Sequence, residues 1–320
     1  MKLYPLQFEP ILKERIWGGE KLKTILNKPI TSKITGESWE ISTVEGDVSV
    51  VATGILTGKS LNDLINLNPD ALLGTEVHKR FGKQFPLLFK YLDAREDLSI
   101  QVHPNDELAK KRHNSFGKTE MWYVMQADTD SKLIVGFKED SNAGAYLENL
   151  KNKTLLSILD NVKVEVGDVF FLETGTVHAI GAGLVIAEIQ QTSDITYRLY
   201  DFDRVDAAGN HRELHVDLAL DAINYKKIDT YKKYSKELNQ SNSMVDCPYF
   251  TTNFLPLDGK VAVKKSGESF TVYMCVEGNF ELEYEGVKFK YIKGDTVLIP
   301  AELKTFDLSG KGSLLEIYIS

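Results

Sequence analysis

Four side chains with nitrogen or oxygen donor atoms stand in three short, largely apolar runs of the sequence. Gln101 and His103 lie in SIQVHPND, Glu120 lies in KTEMWYV, and His178 lies in ETGTVHAIG. Two imidazoles, a carboxylate and an amide oxygen suit Zn²⁺, and also Fe²⁺, Mn²⁺ or Co²⁺, because no thiolate is present to select a softer ion. The four residues therefore predict a site for one divalent metal ion, with zinc as the first choice because of its abundance.

These runs have the pattern of strands, in which alternate side chains share one face of a sheet. Ser99, Gln101 and His103 point the same way in such a strand, and Ile100 and Val102 fill its other face. A histidine in an apolar strand is more often a hydrogen-bonded core residue than a metal ligand. The chain has only six histidines, so two of them in apolar strands beside a glutamine and a glutamate favour the metal site.

The other histidines are His78, His113, His211 and His215, and they lie in polar stretches with helical spacing. A surface role is the expectation for them. His211 and His215 are four residues apart and could bind a metal on one face of a helix. No third ligand is near them in the sequence, so this pair ranks below the set of four.

Length and charge limit the classes of function. A chain of 320 residues is long enough for two domains, or for two barrels that share an interface. A formal net charge of -8 argues against nucleic acid as a partner, because binding a polyanion needs many lysines and arginines. A small phosphorylated ligand remains possible, since a few cations in one pocket are enough to bind it.

No targeting or membrane segment is evident in the sequence. The start, MKLYPLQFEPILKERIWGG, carries proline and charges where a signal peptide needs an uninterrupted apolar run, and no later run has the length of a membrane span. Cys247 and Cys275 are the two cysteines, and their contexts give neither a disulfide framework nor a metal motif. The sequence therefore predicts a cytoplasmic protein without membrane contact.

Short runs of alternating or apolar residues, separated by glycine-containing turns, dominate the chain and are typical of barrels or sandwiches. Examples are GLVIAEIQQ, FELEYEG and SLLEIYIS. A polar, lysine-rich stretch, KKIDTYKKYSKELNQSNSMV, resembles a linker. We therefore expect a catalytic metal-binding domain with helical segments at 1–225, a linker at 226–245 and a second β-domain at 246–320.

An internal echo supports two related units. VEVGDVFFLETGTVHAI, from Val164, resembles YIKGDTVLIPAELKTFDL, from Tyr291, with a Gly-Asp pair at the same place in each. When the two runs are aligned on their Gly-Asp pairs, His178 aligns with Thr305. The second unit therefore lacks that ligand, and the sequence predicts a degenerate copy without a metal site.

Taken together, these motifs resemble the type I phosphomannose isomerases, zinc-dependent cupin enzymes that interconvert mannose 6-phosphate and fructose 6-phosphate, in their short bacterial form. The matching runs are SIQVHPND, KTEMWYV, TVHAIGAG and EIQQTSDITYRLYDFDR, with IWGG and GESWEIS near the start. The likeness extends over essentially the whole chain. It implies a mainly β fold with two cupin-type (jelly-roll) barrels and a few helices, and the activity of an aldose-ketose isomerase.

The resemblance also assigns roles by position. The family's metal ligands correspond here to the four residues that the donor types single out, namely Gln101, His103, Glu120 and His178. One Zn²⁺ per chain is the implied cofactor, and other divalent first-row metals remain open. The implied partner is a small phosphorylated sugar.

The resemblance further implies that Arg198 lies near the reacting carbons and that Glu188 and Lys118 are acid-base candidates. Ser99 and Arg204 are expected toward the phosphate, and Arg204 stands where longer relatives carry a lysine, which keeps the charge but changes the donor geometry. An arginine does not easily deprotonate but can stabilise an enediolate electrostatically. The sequence leaves the identity of the general base open.

Two other functions stay open at this point. Two histidines and a carboxylate can also hold Fe²⁺ in an oxygenase, although Gln101 and the cations suited to phosphate count against that reading. A non-catalytic sugar-binding or regulatory barrel is the third possibility. The oligomeric state, monomer or homodimer, is not determined by the sequence.

Overall fold

Antiparallel strands make up most of the regular structure in the computed structural model, which describes residues 2–205 and 209–320. The strands in this part of the chain are β1 (Ile11–Gly19), β2 (Thr35–Ile41), β3 (Thr43–Val44), β4 (Asp47–Val48), β5 (Leu87–Ala94), β6 (Ile100–Val102), β7 (Glu120–Ala127), β8 (Lys132–Phe137), β9 (Leu159–Lys163), β10 (Val169–Leu172), β11 (His178–Ile180), β12 (Leu184–Gln191), β13 (Tyr197–Tyr200), β14 (Asn242–Asp246), β15 (Thr251–Lys264), β16 (Thr271–Tyr284), β17 (Val287–Ile292), β18 (Thr296–Ile299) and β19 (Thr305–Tyr318). The expectation of a mainly β fold is confirmed.

Short helices connect the strands. They are α1 (Lys21–Leu26), α2 (Leu61–Leu67), α3 (Pro69–Leu73), α4 (Thr75–Phe81), α5 (Asp106–His113), α6 (Ala143–Lys151), α7 (Leu155–Ile158) and α8 (Val216–Leu220). None of the helices in the described ranges is long and apolar enough to span a bilayer.

Two sheets from the N-terminal part of the chain bring the predicted ligands together. The first has strand order β1-β2-β5-β12-β7-β10, and the second has order β13-β6-β11-β8-β9. The chain crosses repeatedly between the two sheets, so residues far apart in sequence meet. Gln101 and His178 are directly opposite each other in the second sheet. Glu120 begins β7 in the first sheet.

A third sheet belongs to the C-terminal part of the chain. Its order is β14-β15-β19-β16-β17, and β18 also pairs with β16. Strands β15, β16 and β19 are each 14 residues long, much longer than the average strand. Strands β3 and β4 form a separate small hairpin.

The first sheet is buried on both faces. Every residue of β5 and of β12 is buried, which suits their β-branched and large apolar side chains. On the face away from the predicted ligands, Tyr123 stacks on Phe254 of the third sheet, with ring centroids 6.2 Å apart. The Tyr91 hydroxyl on the same face donates to the carbonyl of Asp295 at 3.4 Å. This sheet therefore separates the candidate site from the C-terminal part of the chain.

One apolar cluster joins the two parts of the molecule. Its buried members run from Leu3 to Ile319 and include residues of β5, β7 and β12 as well as most of the third sheet. A smaller cluster, which includes Leu92, Trp122 and Ile180, lies between the first and second sheets. The apolar core is therefore continuous across the junction of the two parts.

The stretch 226–245 is more structured than its polar composition predicts. Strand β14 begins at Asn242, inside the range expected as a linker. Tyr231 forms a bridge with Phe170, and the Tyr234 hydroxyl donates to the carbonyl of Gly167 at 2.7 Å. Tyrosines that pack on the first sheet alternate with the solvated lysines, which hides the packing from a composition argument. The division into domains at 225 and 246 stays a prediction.

The internal echo in the sequence corresponds to the same turn built twice. Gly167 and Gly294 have φ angles of 92° and 94°. In the first turn the Asp168 carboxylate accepts from the backbone N–H of Glu165 at 2.8 Å, and in the second the Asp295 carboxylate accepts from that of Ile292, also at 2.8 Å. The left-handed conformation favours glycine at both places.

The shared cluster predicts a large loss of stability when it is truncated at its centre. Phe85 and Phe270 are fully buried, and their ring centroids are 4.7 Å apart across the junction. Phe270→Ala should lower the free energy of unfolding by about 3–5 kcal/mol, measured by urea denaturation, because it leaves a cavity. The exposed control Leu67→Ala should change it by less than about 0.5 kcal/mol. Equal effects in the two variants would contradict the packing described.

Candidate metal centre

The donor atoms of three predicted ligands converge between the first and second sheets. One ligand atom from each of His103, Glu120 and His178 lies within 4.8 Å of the other two. All three side chains are almost completely buried. Among residues 2–205 and 209–320, this is the one group of three or more histidine, cysteine, aspartate or glutamate side chains with such geometry.

Backbone carbonyls fix the orientation of both imidazoles. Nδ1 of His103 lies 2.9 Å from the carbonyl oxygen of Ile195, and Nδ1 of His178 lies 2.8 Å from that of Thr176. A carbonyl only accepts hydrogen bonds, so each Nδ1 carries the proton. The Nε2 lone pairs of both rings therefore point toward the centre, which is the arrangement of metal-binding histidines.

The centre contains polar atoms that the protein itself leaves without hydrogen bonds. Nε2 of His103 and Oε1 of Glu120 are buried without a hydrogen-bond partner among the described residues, and the other Glu120 oxygen, Oε2, is paired with Nζ of Lys118 at 3.3 Å. Nε2 of His178 is 3.3 Å from Oε1 of Glu120. Several lone pairs buried at this distance repel one another, and leaving buried acceptors unpaired is costly. A divalent cation fits this donor set.

Gln101 completes the set. Its side-chain Nε2 lies 3.2 Å from Nε2 of His178, so the amide reaches the centre from the neighbouring strand. The two ends of an amide are assigned from the hydrogen-bond network, and a metal takes the oxygen. A 180° turn of the amide presents Oε1 to the centre in place of the nitrogen. The structure thus brings all four sequence-predicted ligands together.

The protonation states of these groups favour cation binding. Burial lowers the pKa of His103 well below its ordinary value, and it lowers the pKa of His178 to about 4. Both rings are therefore neutral near pH 7, as metal ligands must be. Burial raises the pKa of Glu120, and the positive charge of Lys118, whose Nζ lies 3.3 Å from Oε2 of Glu120, opposes that rise.

A cavity of about 390 Å³ opens beside the ligands. Gln101, one of the predicted ligands, lines this cavity. So do most of the predicted catalytic and substrate-binding residues, namely Ser99, Lys118, Glu188 and Arg198. Trp17, Trp39 and Ile180 supply apolar walls. A cavity with apolar walls and a few convergent charged groups is the usual form of a ligand-binding or active site.

Glu188 and Lys90, which line this cavity, belong to a row of side chains that continues to the buried Trp122 on neighbouring strands. Glu188 is opposite Lys90 on one side and opposite Trp122 on the other. Nζ of Lys90 lies 3.3 Å from one carboxylate oxygen, and Nε1 of Trp122 donates to the other at 2.9 Å. Burial raises the pKa of Glu188, but Lys90 and Lys118 outweigh that effect, so the net shift is downward and the carboxylate is ionised at neutral pH.

Sequence reasoning missed several charged residues of the cavity. Arg15 donates to Glu37 at 2.7 Å, and Glu37 lies 3.9 Å from Lys90. All three line the cavity, as does Arg212. The available signal was a charged residue inside an otherwise apolar strand, as in LLFKYLDA around Lys90. Such a residue is almost never fully buried unless it is paired.

Arg198 points into the cavity with spare capacity to donate. One terminal nitrogen donates to the carbonyl of Glu213 at 2.8 Å, whereas its buried Nε has no hydrogen-bond partner among the described residues. Burial lowers the pKa of Arg198, with the nearby positive charge of Arg212 adding to the effect. The guanidinium stays protonated, since arginine does not lose its proton in proteins.

Arg204 is not among the residues that line the cavity. Its guanidinium bonds to the carboxylate of Asp201 and to the carbonyl of Asp97, each at 2.5 Å. Arg212, which does line the cavity, bonds to the same Asp201 carboxylate at 2.6 Å. The Asp201 carboxylate thus links Arg204 to Arg212, and the phosphate contact expected of Arg204 stays a prediction.

Comparison with known proteins gives a consistent result over the whole chain. The family model "Phosphomannose isomerase type I, catalytic domain" matches residues 5–134, and "Mannose-6-phosphate isomerase, cupin domain" matches residues 240–319. The mannose-6-phosphate isomerase ManA of Bacillus subtilis is 36% identical over 319 residues, which cover 97% of both chains. The mannose-6-phosphate isomerase of Streptococcus mutans is 33% identical over 317 residues, which cover 96% of this chain and 95% of the Streptococcus protein.

Solved structures agree with this result. The crystal structure of the mannose 6-phosphate isomerase from Bacillus subtilis has a TM-score of 0.91 and 33% identity, covering 99% of this chain and 100% of that one. A putative mannosephosphate isomerase from Archaeoglobus fulgidus has a TM-score of 0.80 at 24% identity, covering 100% of this chain and 99% of that one. At that identity the second likeness concerns the fold alone.

The geometry predicts that His178→Ala removes the metal. The variant loses one of four donors, so bound metal after dialysis, measured by elemental analysis, should fall and the metal affinity should drop by more than about 100-fold. His78→Ala is the matched control, because His78 lies on the surface and contacts Asp70. Unchanged metal content in His178→Ala would remove this residue from the site.

Proposed function

Because the chain belongs to the type I phosphomannose isomerase family, we propose that it interconverts mannose 6-phosphate and fructose 6-phosphate through an enediol, with one divalent metal ion. The observation that carries the proposal is a buried set of unpaired donor atoms at the edge of a cationic cavity. Neither feature alone is specific. Together they offer what an aldose-ketose isomerisation of a phosphorylated sugar requires.

The proposed ligands are Gln101, His103, Glu120 and His178, and the proposed metal is Zn²⁺, with other divalent first-row ions as alternatives. A bound divalent cation would act as a Lewis acid toward the oxygens on C1 and C2. The protein's contribution is orientation. Carbonyl oxygens hold both imidazoles with Nε2 toward the centre, so no rearrangement of protons is needed on binding.

The residues that line the cavity divide the proton transfers between them. Glu188 is ionised near neutral pH, so it is the group that can accept the proton from C1 or C2. Lys118 has a raised pKa, because the attraction of Glu120 and Glu188 outweighs its burial, so it is protonated and can donate to a substrate oxygen. Arg198 offers a buried N–H to negative charge that develops on the enediol oxygens.

The charge of the cavity favours an anionic substrate. Its lining contains the cations Arg15, Lys90, Lys118, Arg198 and Arg212 and the carboxylates Glu37, Glu188 and Asp194, a surplus of two positive charges. A phosphate group complements that surplus. We propose that Arg198, Arg212 and the hydroxyl of Ser99 contact the substrate. Arg204 is also proposed to lie toward the phosphate, joined to Arg212 by their shared partner Asp201.

Other parts of the proposal concern the molecule as a whole. The facing sheets of the N-terminal part and the C-terminal sheet are proposed to be two jelly-roll barrels, with domains at 1–225 and 246–320 and a connecting segment at 226–245. A cytoplasmic location is proposed on the sequence argument given above. Monomer and homodimer are both compatible with the single chain described.

The direct test is turnover. Protein loaded with zinc should form fructose 6-phosphate from mannose 6-phosphate, chelation should abolish the activity, and added metal should restore it. Absence of product from fully loaded protein would contradict the proposal. Iron-dependent oxygen consumption with zinc inactive would instead favour an oxygenase.

The role proposed for Arg198 can be tested separately from metal binding. Arg198→Lys should keep its metal and lower kcat by about 10²–10³-fold, because a single-point ammonium replaces the planar set of donors. Arg95→Lys is the control, since Arg95 lies on the surface beside Glu96. A kcat of Arg198→Lys equal to that of the unmodified protein would exclude this role.

A further inference from the structure

A buried carboxylate lies inside the third sheet with no part in the site described above. Glu316 of β19 is 4% exposed. One of its oxygens accepts from Nζ of Lys265 at 2.6 Å and from the Tyr273 hydroxyl at 3.0 Å. The other accepts from the Ser241 hydroxyl at 2.6 Å and from the amide of Asn253 at 3.1 Å. Such buried ionic clusters contribute little to stability compared with apolar packing, so their presence calls for another reason.

The pairing of β16 with β19 repeats the pairing of β7 with β12. The N–H of Val124 donates to the carbonyl of Asp168, and the N–H of Cys275 donates to that of Asp295, so Val124 and Cys275 hold the same place relative to the duplicated turn. Each pair also has a register shift in the same position. In the first pair of strands the shift comes directly after Val124, whose cross-strand partner is Ile186. In the second it comes directly after Cys275, whose partner is Leu314.

Because the two pairs of strands correspond, the residues beside the first cavity have counterparts in the third sheet. Two residues before Val124 and Cys275 stand Trp122 and Tyr273, and their partners across the strand are Glu188 and Glu316. In both places an aromatic side chain donates a hydrogen bond to the carboxylate, at 2.9 Å from Trp122 and at 3.0 Å from Tyr273. Glu316 is therefore the structural counterpart of Glu188.

The metal ligands, in contrast, have no counterparts. The position of Glu120, two residues before Trp122, is occupied by Thr271, and the position of His178 in the duplicated turn is occupied by Thr305. Threonine hydroxyls do not replace a carboxylate and an imidazole as ligands of a transition metal. The C-terminal copy has kept the buried carboxylate and lost the metal chemistry.

A cavity of about 610 Å³ lies at the equivalent place in the C-terminal copy. At four corresponding positions, a residue of the N-terminal part lines the first cavity and its counterpart in the third sheet lines the second. The pairs are Lys90 and Asn253, Leu92 and Leu255, Lys118 and Ser269, and Glu188 and Glu316. Two of the donors to Glu316 are within reach of solvent, because Ser241 is exposed and the side chain of Lys265 is partly exposed. Hydroxyl groups of a ligand can take their places without leaving the carboxylate unpaired.

The charge of the second cavity differs from that of the first. Its lining holds the cations Lys264 and Lys265 and the carboxylates Glu76, Glu268 and Glu316, so it lacks the positive surplus that a phosphate needs. Leu255, Val261 and Phe270 give it apolar walls. Apolar walls beside hydroxyl, amide and carboxylate groups suit the C–H face and the hydroxyls of an uncharged sugar.

We propose that this cavity is a second, metal-independent binding site for a hydroxyl-rich, unphosphorylated small molecule of the free hexose class, with the Glu316 carboxylate as its central hydrogen-bond acceptor. Because Thr271 and Thr305 stand where the first cavity has metal ligands, the Glu316 carboxylate has no metal beside it and is available for binding rather than for proton transfer. The proposal does not depend on turnover at the first cavity.

The test is a titration of the full-length, metal-loaded protein with D-mannose and D-fructose, followed by backbone amide NMR. Binding should shift the signals of Leu255, Ser269 and Thr271. Glu316→Gln should weaken it about tenfold or more, because a hydrogen bond to a charged acceptor is lost. Glu281→Gln is the control: it removes a carboxylate of the same sheet that pairs with Lys288 outside the cavity. Val263→Trp, which fills the cavity, should abolish the shifts even if Glu316→Gln folds poorly.

The His178→Ala variant distinguishes ligand binding at the C-terminal cavity from metal-dependent chemistry at the first cavity. The shifts at the C-terminal cavity should persist in this variant, whether or not the unmodified protein isomerises mannose 6-phosphate. Titration with mannose 6-phosphate should shift signals around the first cavity and leave those of the second unchanged. The proposal is overturned if neither sugar shifts the named signals, if Val263→Trp leaves the shifts intact, or if Glu281→Gln weakens binding as much as Glu316→Gln does.

Discussion

Mutual repulsion among buried lone pairs is the constraint on which the rest of the structure depends. Two Nε2 atoms and a carboxylate meet at a buried point, and a backbone carbonyl holds each imidazole with its lone pair inward. Such a cluster is stable only with positive charge beside it. Nζ of Lys118, 3.3 Å from Oε2 of Glu120, supplies part of that positive charge, and a bound divalent ion would supply the rest. The two facing sheets are the scaffold that keeps these groups from moving apart.

The first sheet has to satisfy two unlike neighbours at once. One face presents Lys90 and Glu188 to the cavity, and the other presents Tyr91 and Tyr123 to the C-terminal sheet. Burying charge on one face is unfavourable by itself, so the apolar cluster on the other face has to hold the strands in register. The C-terminal sheet therefore supports the candidate site without contributing a ligand to it.

Much of the site follows from the sequence, and the remainder does not, for physical reasons. Strand periodicity and donor type place Gln101, His103, Glu120 and His178 together, because these properties are local. The pairing of Lys90 with Glu188 depends on which strands become neighbours, and no local pattern encodes that. The position of Arg204 depends on Phe202 and Asp203, whose positive φ angles of 56° and 55° turn the chain just before it. Likewise, composition alone did not reveal that tyrosines anchor the stretch 226–245.

The apolar cluster that spans both parts of the chain has a consequence for the fold. Removal of the C-terminal sheet would leave the apolar face of the first sheet, with its aromatic rings, exposed to water, and large exposed apolar patches invite aggregation. Packing against the first sheet is therefore reason enough for the chain to keep its C-terminal sheet.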